Sequence, residues 1–312
     1  MKSTKSQIKH HRLGKNIFKQ NVAFFLLSLP AIVWVICFNY LPMFGVVIAF
    51  KDYNYTDGIF GSPWAGFKYF KYFFSSNDVT VVMRNTLGYN LFYLFLNQLA
   101  PLFVALCLYE ITRKSVKIYQ TAMILPNFIS WVLAAYIGYA LLSQETGIIN
   151  SIIKSVGGEA IQWYSEPKYW PAILTLFSLW KHTGMSSVLY YASLCAIDAN
   201  LFEAASIDGA NRFKQIIHIS IPEILPVVCV LLIMAVGGIM GGDFGLFYQL
   251  PRNSGALYSV TDILPTYIYR LLQKGNLSYG SAVGLFQNLV GTVLLLVTNT
   301  TIKKISPENS MF

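Results

Sequence analysis

The sequence predicts an all-α membrane protein of six transmembrane helices with both termini on one side, and three observations carry that prediction. Hydrophobic residues fill 55% of the 312 positions and charged residues only 12%, too few to solvate the surface of a water-soluble domain of this size. Apolar runs recur that are long enough to cross a hydrocarbon core, which takes about 20 helical residues at roughly 1.5 Å each. The basic residues behind the net charge of +9 gather in short segments that flank those runs.

Taken in order, residues 1–21 form a polar, basic arm, MKSTKSQIKHHRLGKNIFKQN. The run after it exceeds a signal-peptide core and lacks a small-residue cleavage site, so it reads as an uncleaved first span from Val22 to Phe50, bent near Pro42. The second span is expected from Val79 to Tyr109, the third from Tyr119 to Leu142 and the fourth from Trp170 to Ala196. The fifth follows from Ile221 to Leu246 and the sixth from Tyr279 to Ile302, which makes residues 22–302 one membrane domain and residues 303–312 a short tail. Arg113, Lys114 and Lys117 after the second span, Arg212 and Lys214 after the fourth, and Lys303 and Lys304 in the tail lie on the same side as the arm. The positive-inside rule makes that side, and hence both termini, cytoplasmic. The opposite loops are longer and aromatic; in one of them Phe67, Phe70 and Phe74 share a helical face suited to the membrane interface.

Several function classes drop out. The placement of the basic residues follows membrane topology and argues against a nucleic-acid partner. Cys37, Cys107, Cys195 and Cys229 fall in or beside different spans without close pairing, so neither a disulfide framework nor a zinc site is expected. No GxxxxGK[ST] loop is present to cradle a nucleotide phosphate, and no HExxH, GxSxG or paired-carboxylate arrangement points to a catalytic residue.

The loop at residues 198–222 stands out as a stretch of mixed polarity between two apolar spans. Asn200 is placed to cap a helix that carries Glu203 at its third position, with Leu201, Ala204, Ala205 and Asp208 on one face and Gly209 supplying a left-handed stop. A second helix from Asn211 sets Phe213, Ile216, Ile217 and Ser220 on one stripe, until Pro222 opens the next span. Helices this short barely hold in water alone. Either they pack on this chain's own bundle or at the lipid surface, or they dock on a partner.

The residues EAASIDGANRFKQIIHISIP resemble the EAA loop of permease subunits of binding-protein-dependent ABC importers. Glu203-Ala204-Ala205, Gly209 and Ile219-Ser220-Ile221-Pro222 stand at that family's spacing, with Ile221 where Leu is usual. The segments FKYFKYFFSSNDVTVVMRNTLGYN, GGDFGLFYQLPRNSG and KKISPENSMF look like the oligosaccharide and polysaccharide permeases of the carbohydrate-uptake group. The resemblance implies the type I ABC importer permease fold in the bacterial cytoplasmic membrane and a non-catalytic subunit. It implies that residues 198–222 couple to an ATPase through Glu203, Ala204, Ala205, Asp208, Gly209, Phe213, Ile219 and Pro222. The partners it implies are a second, non-identical permease, two cytosolic ATPase subunits that bind ATP and Mg, and an extracellular solute-binding protein. No cofactor is expected in this chain itself.

An ionised side chain at mid-bilayer costs on the order of 3 kcal/mol and is kept mainly where it meets water or a partner. Lys181, His182 and Asp243 therefore mark, with Trp180, Phe247, Tyr248 and Gln249, a candidate hydrated path for a sugar; a structural Lys181–Asp243 pair, or snorkelling of these side chains to the interface, accounts for them equally well. Asn288, on a stripe with Ser281, Gly284 and Gly291, either extends that path or serves close helix packing. A secondary transporter or channel without an ATPase is the alternative, but it predicts inverted repeats that the sequence does not display.

Overall fold

The computed structural model describes residues 13–305, and regular structure among them is helical. Residues 1–12 of the basic arm and residues 306–312 of the tail lie outside the described residues. In chain order the principal helices are α1 (Leu13–Val35), α2 (Lys68–Ser75), α3 (Asn77–Tyr109), α4 (Arg113–Phe128), α5 (Trp131–Leu142), α6 (Ile148–Ser155) and α7 (Trp170–Cys195). They continue with α8 (Ala199–Ile207), α9 (Arg212–Gly237), α10 (Phe244–Gln249), α11 (Leu264–Gln273) and α12 (Leu277–Ile305).

Four stretches are long and apolar enough to cross a membrane, namely Phe24–Phe50, α3, α9 and Leu277–Lys304, and a fifth arises if α4 and α5 count as one broken span. The expected six is thus met only in part. The 26 residues of α7 reach about 39 Å, ample for a crossing, but Lys181, His182 and several hydroxyls keep it out of the apolar set.

The third span, read as one helix, is two: α4 and α5 meet at an angle of 99°. Ser130 explains the restart, because its extended backbone begins a new helix and its hydroxyl accepts the Leu133 amide at 3.3 Å. Prolines in the first and fifth spans act differently. Pro42 and Pro222 each follow by two residues a π-turn, Ile36–Tyr40 and Ile216–Ser220. A proline cannot bond the carbonyl four residues back, and here that carbonyl, of Phe38 or His218, falls inside the widened turn that accommodates the loss. Pro222 therefore does not divide loop from span as expected; α9 runs unbroken from Arg212 to Gly237.

Three buried clusters run along the bundle. Tyr190, Leu194, Ala105 and Ile224 fill the end nearest α8; Trp170, Leu174, Tyr93, Leu246 and Ile263 fill the opposite half. Phe73, Met240, Leu264 and Val283 join α2, α11 and α12. In α2 the fully buried residue is Phe73; of the aromatic stripe read from the sequence, Phe67 and Phe74 are exposed and Phe70 is half-buried, with Phe67 and Phe70 lying against Phe50 and Phe74 against Phe286. The first span is uncovered, with none of its most apolar window buried. Cys37, Cys107 and Cys195 are exposed and Cys229 is half-buried, all as free thiols.

Where α7 crosses α4, Gly184 lets the two backbones touch: a Cβ there would sit 1.8 Å from the carbonyl oxygen of Met123. Backbone cannot step aside as a side chain can. Gly184→Ala is expected to lower stability by about 3 kcal/mol, read as thermal unfolding in nanodiscs. Gly88→Ala on α3, where a Cβ meets nothing within 4 Å, should leave the melt unchanged or slightly raised.

Candidate functional site

The loop at 198–222 folds as a hook. Its first helix is capped by Asp198, whose carboxylate accepts the Asn200 amide at 3.0 Å, so the cap lies two residues before the one expected. Gly209 turns the chain at a φ of +78°, as its position in the sequence implied. Asn211 caps α9 by accepting the Lys214 amide at 2.9 Å.

Buried Gln215 ties the two arms of the hook, donating to Ser206 Oγ at 2.9 Å and to the Ala210 carbonyl at 3.2 Å. Its amide oxygen accepts from Arg212 at 3.1 Å, and Arg212 reaches Glu110 at the end of α3 at 3.4 Å. Inward positions on the second arm are thus Gln215 and Ser220, with Ile216 and Ile219 half-buried; Phe213 and Ile217 of the expected apolar stripe point outward. Glu203, Ala204 and Asp208 are exposed, Ala205 is half-buried, and Ile207 and Phe213, 87% and 69% exposed, flank the Gly209 turn as an apolar tip.

At mid-bundle the candidate path residues part company. Lys181 is 8% exposed and pairs with no carboxylate among the described residues: its ammonium donates to the carbonyls of Pro126, Asn127 and Ile129, the loose C-terminal end of α4. Neither the hydrated position nor the Lys181–Asp243 pair is found, because the broken span leaves carbonyls that a cation satisfies. Asp243 instead accepts the Trp131 indole N–H at 2.9 Å, caps α10 through the Leu246 amide at 3.2 Å and lies 3.6 Å from His182 Nε2. Phe247 is buried against Tyr89 and Tyr93, away from any path. Trp180 lies partly exposed, edge-on to Phe177.

His182 and Asp243 line a cavity of about 220 Å³ between α3, α7 and α9, together with Asn90, Asn97, Gln98 and Ser178. Beside this cavity the buried Asn97 Oδ1 has no hydrogen-bond partner among the described residues. None of these four additional residues was singled out from sequence. Asn90 and Asn97 stand seven apart, two turns on one helical face, which is the signal that would have found them.

Tyr248 and Gln249 belong to a separate cavity of about 230 Å³ at the end opposite the hook, lined also by Tyr136, Tyr139, Arg252 and Asn253. Arg252 and Asn253 have φ of 56° and 50°, the non-glycine residues with positive φ among those described. For Arg252 this conformation costs about 1–2 kcal/mol. The turn is held by Tyr258 Oη donating to Asn253 Oδ1 at 2.9 Å and by Ser254 Oγ donating to the Tyr164 carbonyl at 3.0 Å. Burial pushes the neighbouring Tyr164 phenol up to about 12, against the pull of the Arg252 charge. Asn288 lies apart from both cavities, in a groove between α9 and α12 where Gly237, Gly241 and Gly291 bring the helices together.

A family model described as binding-protein-dependent transport system inner membrane component matches residues 103–303. Protein LplB of Bacillus subtilis (strain 168) is 38% identical over 293 residues, 93% of this chain and 91% of the relative. The polygalacturonan/rhamnogalacturonan transport system permease protein YteP of the same organism is 34% identical over 302 residues, 96% and 93% of the two chains. A chain in the crystal structure of a bacterial ABC transporter involved in the import of the acidic polysaccharide alginate superposes with a TM-score of 0.85 at 32% identity, over 95% of this chain and all of that one. The alginate transporter in complex with alginate pentasaccharide-bound periplasmic protein gives 0.84 at 32% identity, covering 95% and 99%.

Replacing Lys181 leaves the Asn127 and Ile129 carbonyls without a donor in a medium that supplies none, while the Pro126 carbonyl keeps the Ile129 amide at 3.2 Å. Lys181→Met is expected to lower stability by about 2–3 kcal/mol, measured by thermal unfolding in nanodiscs, with Lys181→Arg recovering part of the loss.

Proposed function

The chain belongs to the binding-protein-dependent transport system inner membrane components, and from that premise we propose that residues 198–222 couple it to a cytosolic ATPase that drives oligosaccharide import. The chain is a permease of the carbohydrate ABC importer type, whose relatives carry saccharide transport names. The observation that carries the coupling reading is the bracing of the hook. Gln215 locks its two arms, Arg212 anchors it to α3 through Glu110, and α9 continues from it into the bundle without a break.

In this reading six spans cross the bacterial plasma membrane, α7 among them, with the hook and both termini on the cytoplasmic side. Exposed Glu203 meets a basic residue of the ATPase, while Ala204, Ala205 and the apolar tip at Phe213 seat in its surface cleft. Asp208 and Gly209 set the bend, and Ile219 and Pro222 join the hook to the fifth span. ATP and Mg stay with the ATPase subunits, and no catalytic residue is assigned here. A second permease completes the pore, and an extracellular solute-binding protein delivers the sugar. His182, Asp243, Asn90 and Asn97 face the translocated sugar's hydroxyls from the central cavity.

Two substitutions test this in the transporter assembled with its partner subunits in proteoliposomes. Glu203→Arg should leave assembly intact and reduce ATP-driven oligosaccharide uptake by at least tenfold, because a like charge then faces the ATPase. Gln215→Leu should leave docking in place but lower sugar moved per ATP hydrolysed, since the arms of the hook lose their tie. Uptake equal to the unaltered protein in both variants, or uptake by this chain without any ATPase, would overturn the coupling role.

A further inference from the structure

The central cavity accounts for neither Arg252 nor the tyrosines around it. Arg252 is an exposed cation at the outer cavity whose guanidinium makes no hydrogen bond or ion pair with a described residue; it lies over the face of Tyr139, 4.3 Å from the ring centroid, with Tyr164 within reach of its charge. Its five donors remain free. The backbone there is left-handed at two successive non-glycine positions, and the loop is pinned in that form by Tyr258 and Ser254. A strained, fixed turn that presents an unspent cation is the pattern of a prepared binding group rather than of a structural ion pair. Around it stand the rings of Tyr136, Tyr139 and Tyr248 and the Gln249 amide, none with a hydrogen-bonded side-chain partner given by the structure.

We propose that Arg252 and the Tyr136, Tyr139, Tyr248 and Gln249 cluster form an outer subsite that selects a sugar residue bearing a carboxylate, a uronate. This rests on the reading of the chain as an oligosaccharide permease and names the substrate class. The planar guanidinium matches a carboxylate in bidentate fashion, which a neutral hydroxymethyl group cannot reproduce. Tyrosine faces stack on the apolar face of a pyranose ring, and their hydroxyls, with the amide of Gln249, bond its hydroxyls. A single cation balances a single negative charge, which favours a carboxylate over a phosphate dianion. A cavity of about 230 Å³ suits one sugar unit, with the neighbouring units of the chain extending outward.

The test uses the assembled transporter in nanodiscs without its binding protein, so that any discrimination belongs to the membrane subunits. Binding of trigalacturonate and of its neutral trimethyl ester is compared by ligand-observed NMR. The unaltered protein should hold the acid about tenfold more tightly than the ester. Arg252→Gln should abolish that preference while keeping the ester's affinity, and Arg252→Lys, which keeps charge but not the fork, should fall between. Thermal melting of each variant checks that the fold is intact. Equal affinity for acid and ester, absence of binding to either, or a preference that survives Arg252→Gln overturns the subsite. If in parallel the complete transporter still imports an oligosaccharide with ATP, only the subsite has failed; if no oligosaccharide is imported, the permease reading fails with it.

Discussion

A membrane cannot hydrate backbone carbonyls, and at the broken end of α4 three of them converge on one ammonium, that of Lys181, which is the donor for those of Asn127 and Ile129. Much of the bundle's centre follows from that contact. Because the break is satisfied, α5 can leave at 99° and set Trp131 beside Asp243. Asp243 then caps α10, whose direction fixes both the buried Phe247 and the outer cavity. Trp131 also lies under the Lys181 ammonium at 5.2 Å, so the cation and the carboxylate share one indole without meeting each other. The Lys181 charge is thus spent on architecture, and the polar groups that line the central cavity are Asp243 and His182 with neutral amides and hydroxyls.

The hook shows what local sequence can state and what it cannot. Gly209 had to be left-handed because a glycine after an amphipathic turn has few other uses, and the backbone has that form. The cap was misplaced by two residues because Asp198 and Asn200 are equally able acceptors and only the path of the preceding chain decides between them. Pro222 read as a boundary, since a proline removes one helical bond; the π-turn that absorbs the loss has no residue signature of its own.

The break in the third span was hidden for a related reason. Apolar character continues through ILPNFISWVL, so an averaged run looks uniform, while Ser130 and Pro126 act only through geometry. Lys181 was legible as an anomaly, a cation in a span, yet its partner could not be read because carbonyls leave no trace in composition. The two cavities were half legible. His182, Asp243, Tyr248 and Gln249 drew notice by type, but they serve different spaces, and the asparagines of α3 that complete the central one were masked by the apolar residues between them.

The unbroken course of α9 has a mechanical consequence. Twenty-six residues make a rod of about 39 Å. With the hook end as pivot, a swing of only about 5° displaces the glycines at its far tip by roughly 3 Å, a hydrogen bond's length. Just beyond that tip, Asn90 of α3 holds the Ile239 carbonyl at 2.8 Å. A deflection too slight to disturb the hook's own fold is therefore enough to unfasten the wall of the central cavity.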